Sequence, residues 1–380
     1  MVSLQSKVFK TLLPLLCFIA VFFFCAFSLF ADSGKMRPHG DKNELPKGCA
    51  SCHVGHGKPG TSMLPETQAT FCYRCHGHRD NTDNTKRLGY LARDAETIDI
   101  QREFEKTYRH PIETAGLHRN GEVLPETDPS VPRHVACEDC HHHHLASGAN
   151  KMSGERGTTV QRAKVSVRFE YELCFNCHSF SANLPVDQTN EADLVNVTNT
   201  SFHPVIGQGK NKNVASLILP WTTSSTIKCT DCHNNDDPSG PKGPHGSIYP
   251  HLLSKNFEES DGSESSTRYE LCYSCHRRES ILGNQSFTFH DLHISQVGTS
   301  CRTCHNSHGS KRNAHLIDFD YSLSPMVRPS NSGRLEYISL GEKSGQCYLN
   351  CHNHEHDPAT YPFARSEPLT TPATTLPKKK

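Results

Sequence analysis

Sixteen of the 18 cysteines in this 380-residue chain fall into eight close pairs, and every pair is followed at once by a histidine. Seven are C-x-x-C-H: Cys49-Cys52-His53, Cys72-Cys75-His76, Cys137-Cys140-His141, Cys174-Cys177-His178, Cys229-Cys232-His233, Cys272-Cys275-His276 and Cys301-Cys304-His305. The eighth, Cys347-Tyr348-Leu349-Asn350-Cys351-His352, carries one extra residue between its thiols. Chance would supply roughly 0.1 such pentads or fewer in a chain of this composition. Two thiols three residues apart on one helical turn can each add to a vinyl group of a single haem. The adjacent histidine then lies over the iron as its proximal ligand. The expected cofactor is therefore haem c, in eight copies, the eighth at the widened motif.

Three plainer uses of paired cysteines fit the pattern less well. Zinc sites use C-x-x-C but do not require a histidine directly after each pair. Structural disulfides suit an exported protein, yet leave the eight histidines unexplained. A thioredoxin-like redox motif comes singly in an α/β fold, not eightfold in a polar chain. Composition points the same way as the motifs. Only 34% of residues are hydrophobic, much of that in the first thirty, while histidine reaches 26. A chain this long and this poor in aliphatic side chains needs something else in its interior. Covalently attached cofactors fill that role without a large apolar pocket.

Lys7 and Lys10 precede an apolar run from Thr11 to Phe30, so residues 1–31 read as an export signal or an uncleaved signal-anchor. Lysine and arginine together number 40, as do aspartate and glutamate. Loss of the signal leaves a slight acidic excess, which gives no electrostatic footprint for nucleic acid.

The motifs come in twos. The second member of a pair follows "YEL" at Tyr171-Glu172-Leu173 and at Tyr269-Glu270-Leu271; the equivalent in the first pair is Thr70-Phe71. The first member is followed by a further histidine three residues on: His56-Gly57, His144 and His308-Gly309. In the third pair the matching Pro244-His245-Gly246 is displaced by an insertion. Upstream of each pair stands another histidine: His39, His110-Pro111, His203-Pro204, and His290 or His293. Four haem-pair units follow, at 32–107, 108–200, 201–287 and 288–357, stacked so that each shares its interior with its neighbours. Residues 358–380, rich in Thr and Pro and ending in three lysines, read as a disordered tail. The expected fold is short α-helices at the haem-binding segments, long irregular loops, little β-sheet, and a haem-packed core. The run from Val165 to Leu173 fits a short strand or a helix lead-in equally.

The alternation of "C-x-x-C-H-x-x-H-G" with "L-C-x-x-C-H" resembles the doubled-CXXCH multihaem c-type cytochromes. The closing segment, from His315 through "FDYSLSP", "SGRLEYI" and "CYLNCHNHEHDP", is similar to the C-terminal unit of exported members in metal-reducing bacteria. The resemblance covers essentially the whole mature chain. It implies bis-His iron and a location in the periplasm or on the outer cell surface. It implies other cytochromes as redox partners, with a porin complex or self-assembly into filaments as further forms.

Distal ligands must be histidines, because the mature chain has only Met36, Met63, Met152 and Met326, none regularly placed. Recurrence selects His39, His56, His110, His144, His203, His245, His293 and His308. Competing with them are His134, His142, His143, His251, His290, His315, His354 and His356. Bis-His ligation lacks the Met thioether that raises potential, so low potentials follow. Two function classes remain. One is electron transfer through eight bis-His haems, with no catalytic residue. The other is an octahaem oxidoreductase acting on a small nitrogen or sulfur oxyanion, which needs an open iron and acid–base groups beside it. No C-x-x-C-K motif marks a lysine-ligated iron.

Overall fold

The computed structural model describes residues 38–58, 63–112, 135–148, 150–179, 184, 189–319 and 327–362. The signal at 1–31, His134 and all but the first residues of the tail lie outside the described residues. The chain divides into two compact units. One takes the described residues up to Thr97 together with Ala136–Glu155; the other takes Ile98 onward apart from that segment.

In the first unit the largest elements are two nine-residue helices, Gln68–His76 and Arg79–Arg87. The second of these is polar throughout and is held by side-chain bonds to backbone. Thr85 Oγ1 donates to Arg74 O at 2.8 Å, and Thr82 Oγ1 donates to Cys75 O at 3.3 Å. Leu45, Leu91 and Ala95 form the apolar cluster of this unit, with Cys75 and Ala92 against it. Full burial of such side chains stabilises by about 1.5–3 kcal/mol each, so a cluster this small cannot order the unit alone.

The second unit is built from one-turn helices, paired two-residue strands and one larger sheet. Strands β1 (Tyr108–Arg109), β2 (Arg156–Thr158), β3 (Lys164–Ser166), β4 (Ser201–Phe202), β5 (Gly246–Ser247) and β6 (Gly309–Ser310) form three small antiparallel ladders. The run from Val165 to Leu173 is shared between two elements. β3 pairs with β2, and a helix then occupies Glu170–Cys174. Glu172 explains where that helix begins, because its Oε2 accepts from the backbone of Phe169 at 3.0 Å and of Arg168 at 2.8 Å. Phe175, Ala192 and Val195 form an apolar cluster beside it.

The other two ladders are clips. β1 pairs with β5 through Arg109↔Gly246, and β4 pairs with β6 through Phe202↔Gly309. In both, the strand residue just before an upstream histidine (His110, His203) lies opposite the glycine just after a "HG" histidine (His245, His308). The glycine is required by a close approach. A Cβ on Gly246 would stand 1.7 Å from Glu103 O, and one on Gly309 would stand 1.9 Å from Leu194 O. The serines that follow are fully buried and bonded: Ser247 Oγ donates to Leu253 O at 2.6 Å, and Ser310 Oγ accepts from Asn313 N at 3.1 Å.

The C-terminal segment departs from the expectation of little sheet. β7 (Val327–Arg328), β8 (Glu336–Gly341), β9 (Ser344–Cys351) and β10 (His354–Tyr361) form a four-stranded antiparallel sheet with β9 in the middle. The β-favouring side chains of Tyr337, Tyr348 and Val327 are buried in it, together with Leu349. The widened cysteine motif therefore sits on a strand rather than on a helical turn. No helix among the described residues is long and apolar enough to cross a membrane.

Candidate functional site

Each of the seven C-x-x-C-H segments is a single helical turn. The histidine N–H donates to the carbonyl of the first cysteine at 2.8–2.9 Å for His53, His141, His178, His233, His276 and His305. The seventh, His76, ends the helix Gln68–His76. Local sequence sets some of these turns. In "CEDC" and "CTDC" the aspartate reaches back to the residue before the first cysteine: Asp139 Oδ2 accepts from Ala136 N at 2.6 Å, and Asp231 Oδ2 accepts from Lys228 N at 2.7 Å. At the last of the seven, Ser300 caps the turn by accepting from Thr303 N at 3.2 Å.

Seven pairs of histidine rings have centres 6.0–6.4 Å apart, while His142, His143 and His144 crowd together at 4.3–6.1 Å and His354 lies 4.8 Å from His356. In the first unit His39 faces His76 with ring centres 6.0 Å apart, and His53 faces His144 at 6.1 Å. In the second unit the pairs are His110–His178 at 6.4 Å, His203–His276 at 6.4 Å, His233–His308 at 6.0 Å, His290–His305 at 6.4 Å and His293–His356 at 6.3 Å. A metal–imidazole bond of roughly 2 Å on each side of one ion sets ring centres about 6 Å apart. Six of the seven pairs join a motif histidine to a non-motif one, the arrangement that bis-axial ligation of haem iron requires. Among the described residues no group of three or more His, Cys, Asp or Glu side chains could hold a metal ion by itself. The gap between two rings fits a group that brings its own equatorial ligands.

The second ring nitrogens fit the same assignment. His39 Nδ1 donates to His143 O at 2.9 Å, His110 Nδ1 to Pro244 O at 2.7 Å, and His203 Nδ1 to Ser307 O. Each acceptor is the residue just before a "HG"-type histidine, so one histidine's orientation is tied to the backbone that carries another. His233 Nδ1 donates to His251 O at 2.8 Å and His305 Nδ1 to His315 O at 2.9 Å. Further partners are Lys151 O for His141 at 3.2 Å, Ser216 Oγ for His276 at 2.9 Å and Phe289 O for His293 at 2.8 Å. His308 Nδ1 stands alone in facing a carboxylate among these, Glu191 Oε2 at 2.7 Å. An Nδ1–H held by an acceptor leaves Nε2 as the lone-pair nitrogen, the one that binds a metal.

Burial favours the neutral form of these rings. It pushes His178 and His276 down to about 4 and His290 down to about 3, and lowers His110, His203, His233 and His305 from the usual range. Burial also raises the thiols, Cys75 and Cys272 to about 11, Cys232 and Cys304 to about 12, and Cys347 and Cys351 to about 11. A thiol that adds to a vinyl group ends as an uncharged thioether, which carries no charge to desolvate at a buried position. The pairs of the second unit are neighbours in series. His178 senses the charge of His233 and His308, His203 that of His308, His276 that of His305, and His290 that of His293.

Three residues singled out in the sequence are placed otherwise. His56 is exposed, with no histidine ring facing it among the described residues; His53, its nearest motif histidine, already faces His144. His245 packs edge-on against Phe104 at 5.7 Å. His352 sits at the β9–β10 turn with its Nε2 3.7 Å from Asp261 Oδ2, while His293 faces His356. His290 and His293 are both engaged rather than alternatives. His251 and His315 serve through their carbonyls. The repeated "HGS" followed by "HL" (His245 to Leu252, His308 to Leu316) was the sequence signal for that role.

Two family descriptions match parts of the chain. Residues 39–81 match the doubled CXXCH motif, and residues 229–322 match the cytochrome c-type protein NrfB-like family. No curated protein and no solved structure matches it. The two matches, with the motifs and their geometry, support a multihaem c-type cytochrome with covalently bound haem c and a role in haem-based electron transfer.

Proposed function

We propose that the chain is an exported electron conduit carrying eight haems c, attached through the eight cysteine pairs from Cys49 to Cys351. The observation that carries this reading is the recurrence of histidine pairs about 6 Å apart, each pair containing a motif histidine or standing at a motif. On this reading His39, His110, His144, His203, His290, His293 and His308 are ligands on the non-motif side. Haem supplies the one-electron iron couple. The chain's own residues keep the imidazoles neutral by burial, fix the binding nitrogen through Nδ1–H bonds, and set the centres in sequence. The series of pairs from His110–His178 to His293–His356 offers a path along the second unit. Low potentials follow from histidine on both faces. The apolar run at 11–30 fits export to the periplasm or the outer surface, where another cytochrome, a porin complex or further copies of the chain would be the redox partners.

The test is intact mass under denaturing conditions, joined to spectra of the native protein. Eight haems by mass, low-spin spectra, and no stoichiometric carbon monoxide binding after reduction are expected. A mass equal to the bare chain would overturn the cofactor. Carbon monoxide binding at one haem per chain would replace the conduit with an oxidoreductase bearing an open iron.

A further inference from the structure

Charge is spread unevenly along the second unit. Aspartate and glutamate together number 40 in the chain, yet neither occurs from Leu194 to Thr230 or from Leu292 to Ile317. The first of these stretches holds Lys210, Lys212 and Lys228, and the second ends with Lys311 and Arg312. The β4–β6 clip lays the two side by side. Thr200 Oγ1 donates to Lys311 O at 2.9 Å, Ser201 Oγ donates to Asn313 O at 2.7 Å, and Asn211 Nδ2 meets His315 Nδ1 at 3.3 Å. Lys210, Lys212, Lys311 and Arg312 are all exposed along this seam. Of the carboxylates at hand, Asp193 is paired with Lys311 at 3.1 Å, Glu191 lies against His308, and Glu342 accepts from Asn213. The four cations outnumber them, so the seam keeps a positive balance.

The first stretch also carries an apolar projection beside a histidine pair. The loop that leaves His203 returns at Ser216–Ile218 to hold His276, the ring that His203 faces. Ser216 Oγ is 2.9 Å from His276 Nδ1, Ser216 O accepts from Arg277 N at 2.6 Å, and Ile218 N donates to Cys275 O at 3.0 Å. A turn closed by Trp221 N to Ile218 O at 2.9 Å leaves Leu219 83% exposed, more than any other large hydrophobic side chain among the described residues. Gln208 Nε2 donates to Thr223 O and to Ser224 Oγ, both at 3.3 Å, which ties this turn to the segment bearing Lys210. A single exposed leucine is ordinary on a protein surface. This one stands on backbone bonded directly to the sixth C-x-x-C-H motif.

We propose that Leu219 and the cations of the β4–β6 seam form the surface on which an acidic electron-transfer protein docks, exchanging electrons with the centre at His203–His276. The inference rests on the haem reading above. Positive charge alone would suit any polyanion. The exposed leucine beside a motif narrows the partner to a protein, whose interfaces combine an apolar centre with a polar rim. The cations would set encounter rate and orientation, and the leucine would set how long the complex lasts. One electron passes in each encounter. The partner's cofactor is oxidised by one electron as one ferric iron becomes ferrous, and no bond forms or breaks.

The probe is a flavodoxin in its fully reduced, anionic flavin form, an acidic protein that gives up one electron to become the neutral semiquinone. Its reaction with the oxidised, haem-bearing protein is followed by stopped flow over a range of ionic strength. Lys212→Glu/Arg312→Glu should lower the second-order rate constant about tenfold at low salt, and the gap should close toward about 1 M salt, where the Debye length falls to about 3 Å. Leu219→Ser should weaken the complex roughly tenfold, seen as a higher half-saturating flavodoxin concentration at every salt level. Lys42→Glu/Arg93→Glu makes the same charge change in the first unit and should alter the rate by less than about twofold. Intact mass and low-spin spectra of each variant check that its haems are in place. With haems in place, a wild-type rate for Lys212→Glu/Arg312→Glu at low salt would overturn the docking surface. An equal loss in the first-unit variant would overturn it too, because net charge would then be the cause. Wild-type dimers in sedimentation that Leu219→Ser abolishes would make the occupant a second copy and overturn the acidic partner. A wild-type mass with no haem would instead remove the reading on which the inference rests.

Discussion

Replacing Gly309 with alanine tests whether the β4–β6 clip holds the second unit together. An added Cβ would lie 1.9 Å from Leu194 O, 2.9 Å from Leu194 C and 3.1 Å from Ser201 O. Ordinary contact begins near 3.4 Å, so the Leu194 carbonyl or β6 must retreat by about 1.5 Å. Neither moves freely. Leu194 O also accepts from Asn199 Nδ2 at 2.7 Å, and β6 continues into the bond from His203 N to His308 O at 3.0 Å. Overpacking of this kind costs about 1–3 kcal/mol, and each lost ladder bond adds about 1 kcal/mol. A total of about 3–5 kcal/mol lowers Tm by on the order of 10 °C in a unit of this size. The assay is thermal unfolding of the haem-bearing protein followed by circular dichroism. Gly148→Ala is the control, since nothing lies within 4 Å of its added Cβ. If Gly309→Ala melts within about 1 °C of that control, the close approach is not what the glycine is there to permit.

Two further perturbations read other parts of the molecule. Glu191→Gln should raise the potential of the centre at His233–His308 while keeping it low-spin, because a carboxylate on Nδ1 makes the imidazole a stronger donor and an amide does not; an unchanged redox titration would show that the contact tunes nothing. Glu264→Gln should cost about 1–2 kcal/mol, a figure reduced for the partial exposure of Arg278, since the carboxylate is paired with Arg278 and accepts from Tyr273 Oη at 2.9 Å. The Arg278 bond holds the Glu264 carboxyl below its usual value, so its stabilisation is present above about pH 4.3 and lost as pH falls through the folded-state pKa. The Tm gap between variant and wild type should therefore close on acidification toward pH 3, and a constant gap would refute the charge-based account.

How much of this was legible in the sequence depends on how local each feature is. The one-turn motifs could be read directly, because two thiols and a histidine at fixed spacing need only five residues to define their geometry. Histidines recurring ahead of and within each unit were also visible, yet their partners were not. The facing of His53 by His144 and of His233 by His308 depends on chain folding across scores of residues. His290 and His293 looked like alternatives because three residues separate them; in the structure each turns to a different ring. The carbonyls that hold Nδ1 have no letter in the sequence, so the bonds that His251 O and His315 O accept could not be read from it. Gly246 and Gly309 stood out as repeated, but the carbonyls that exclude a Cβ come from Glu103 and Leu194, far away in the chain. The C-terminal sheet was hidden by the cysteine motif itself, whose expected helical turn masked the alternation from Gln346 to Cys351.

The clips and the histidine bonds together suggest why so polar a chain can still hold a defined set of centres. Apolar clusters such as Leu45–Leu91–Ala95 and Phe175–Ala192–Val195 are too small to position rings tens of residues apart. The long-range order in the second unit comes instead from backbone ladders and buried serines placed next to histidines: β1 ends just before His110, β4 just before His203, and β5 and β6 begin just after His245 and His308. Backbone hydrogen bonds depend little on side-chain identity, so ring spacing is insulated from change at the exposed loops. The same placement makes local errors costly, because a clip that opens releases the acceptor of one histidine and the backbone of another in one step. In such a scaffold one of these histidines cannot be loosened alone. On the proposed reading, each centre would share its geometry with the next along the second unit, the property that an electron path of several closely set centres requires.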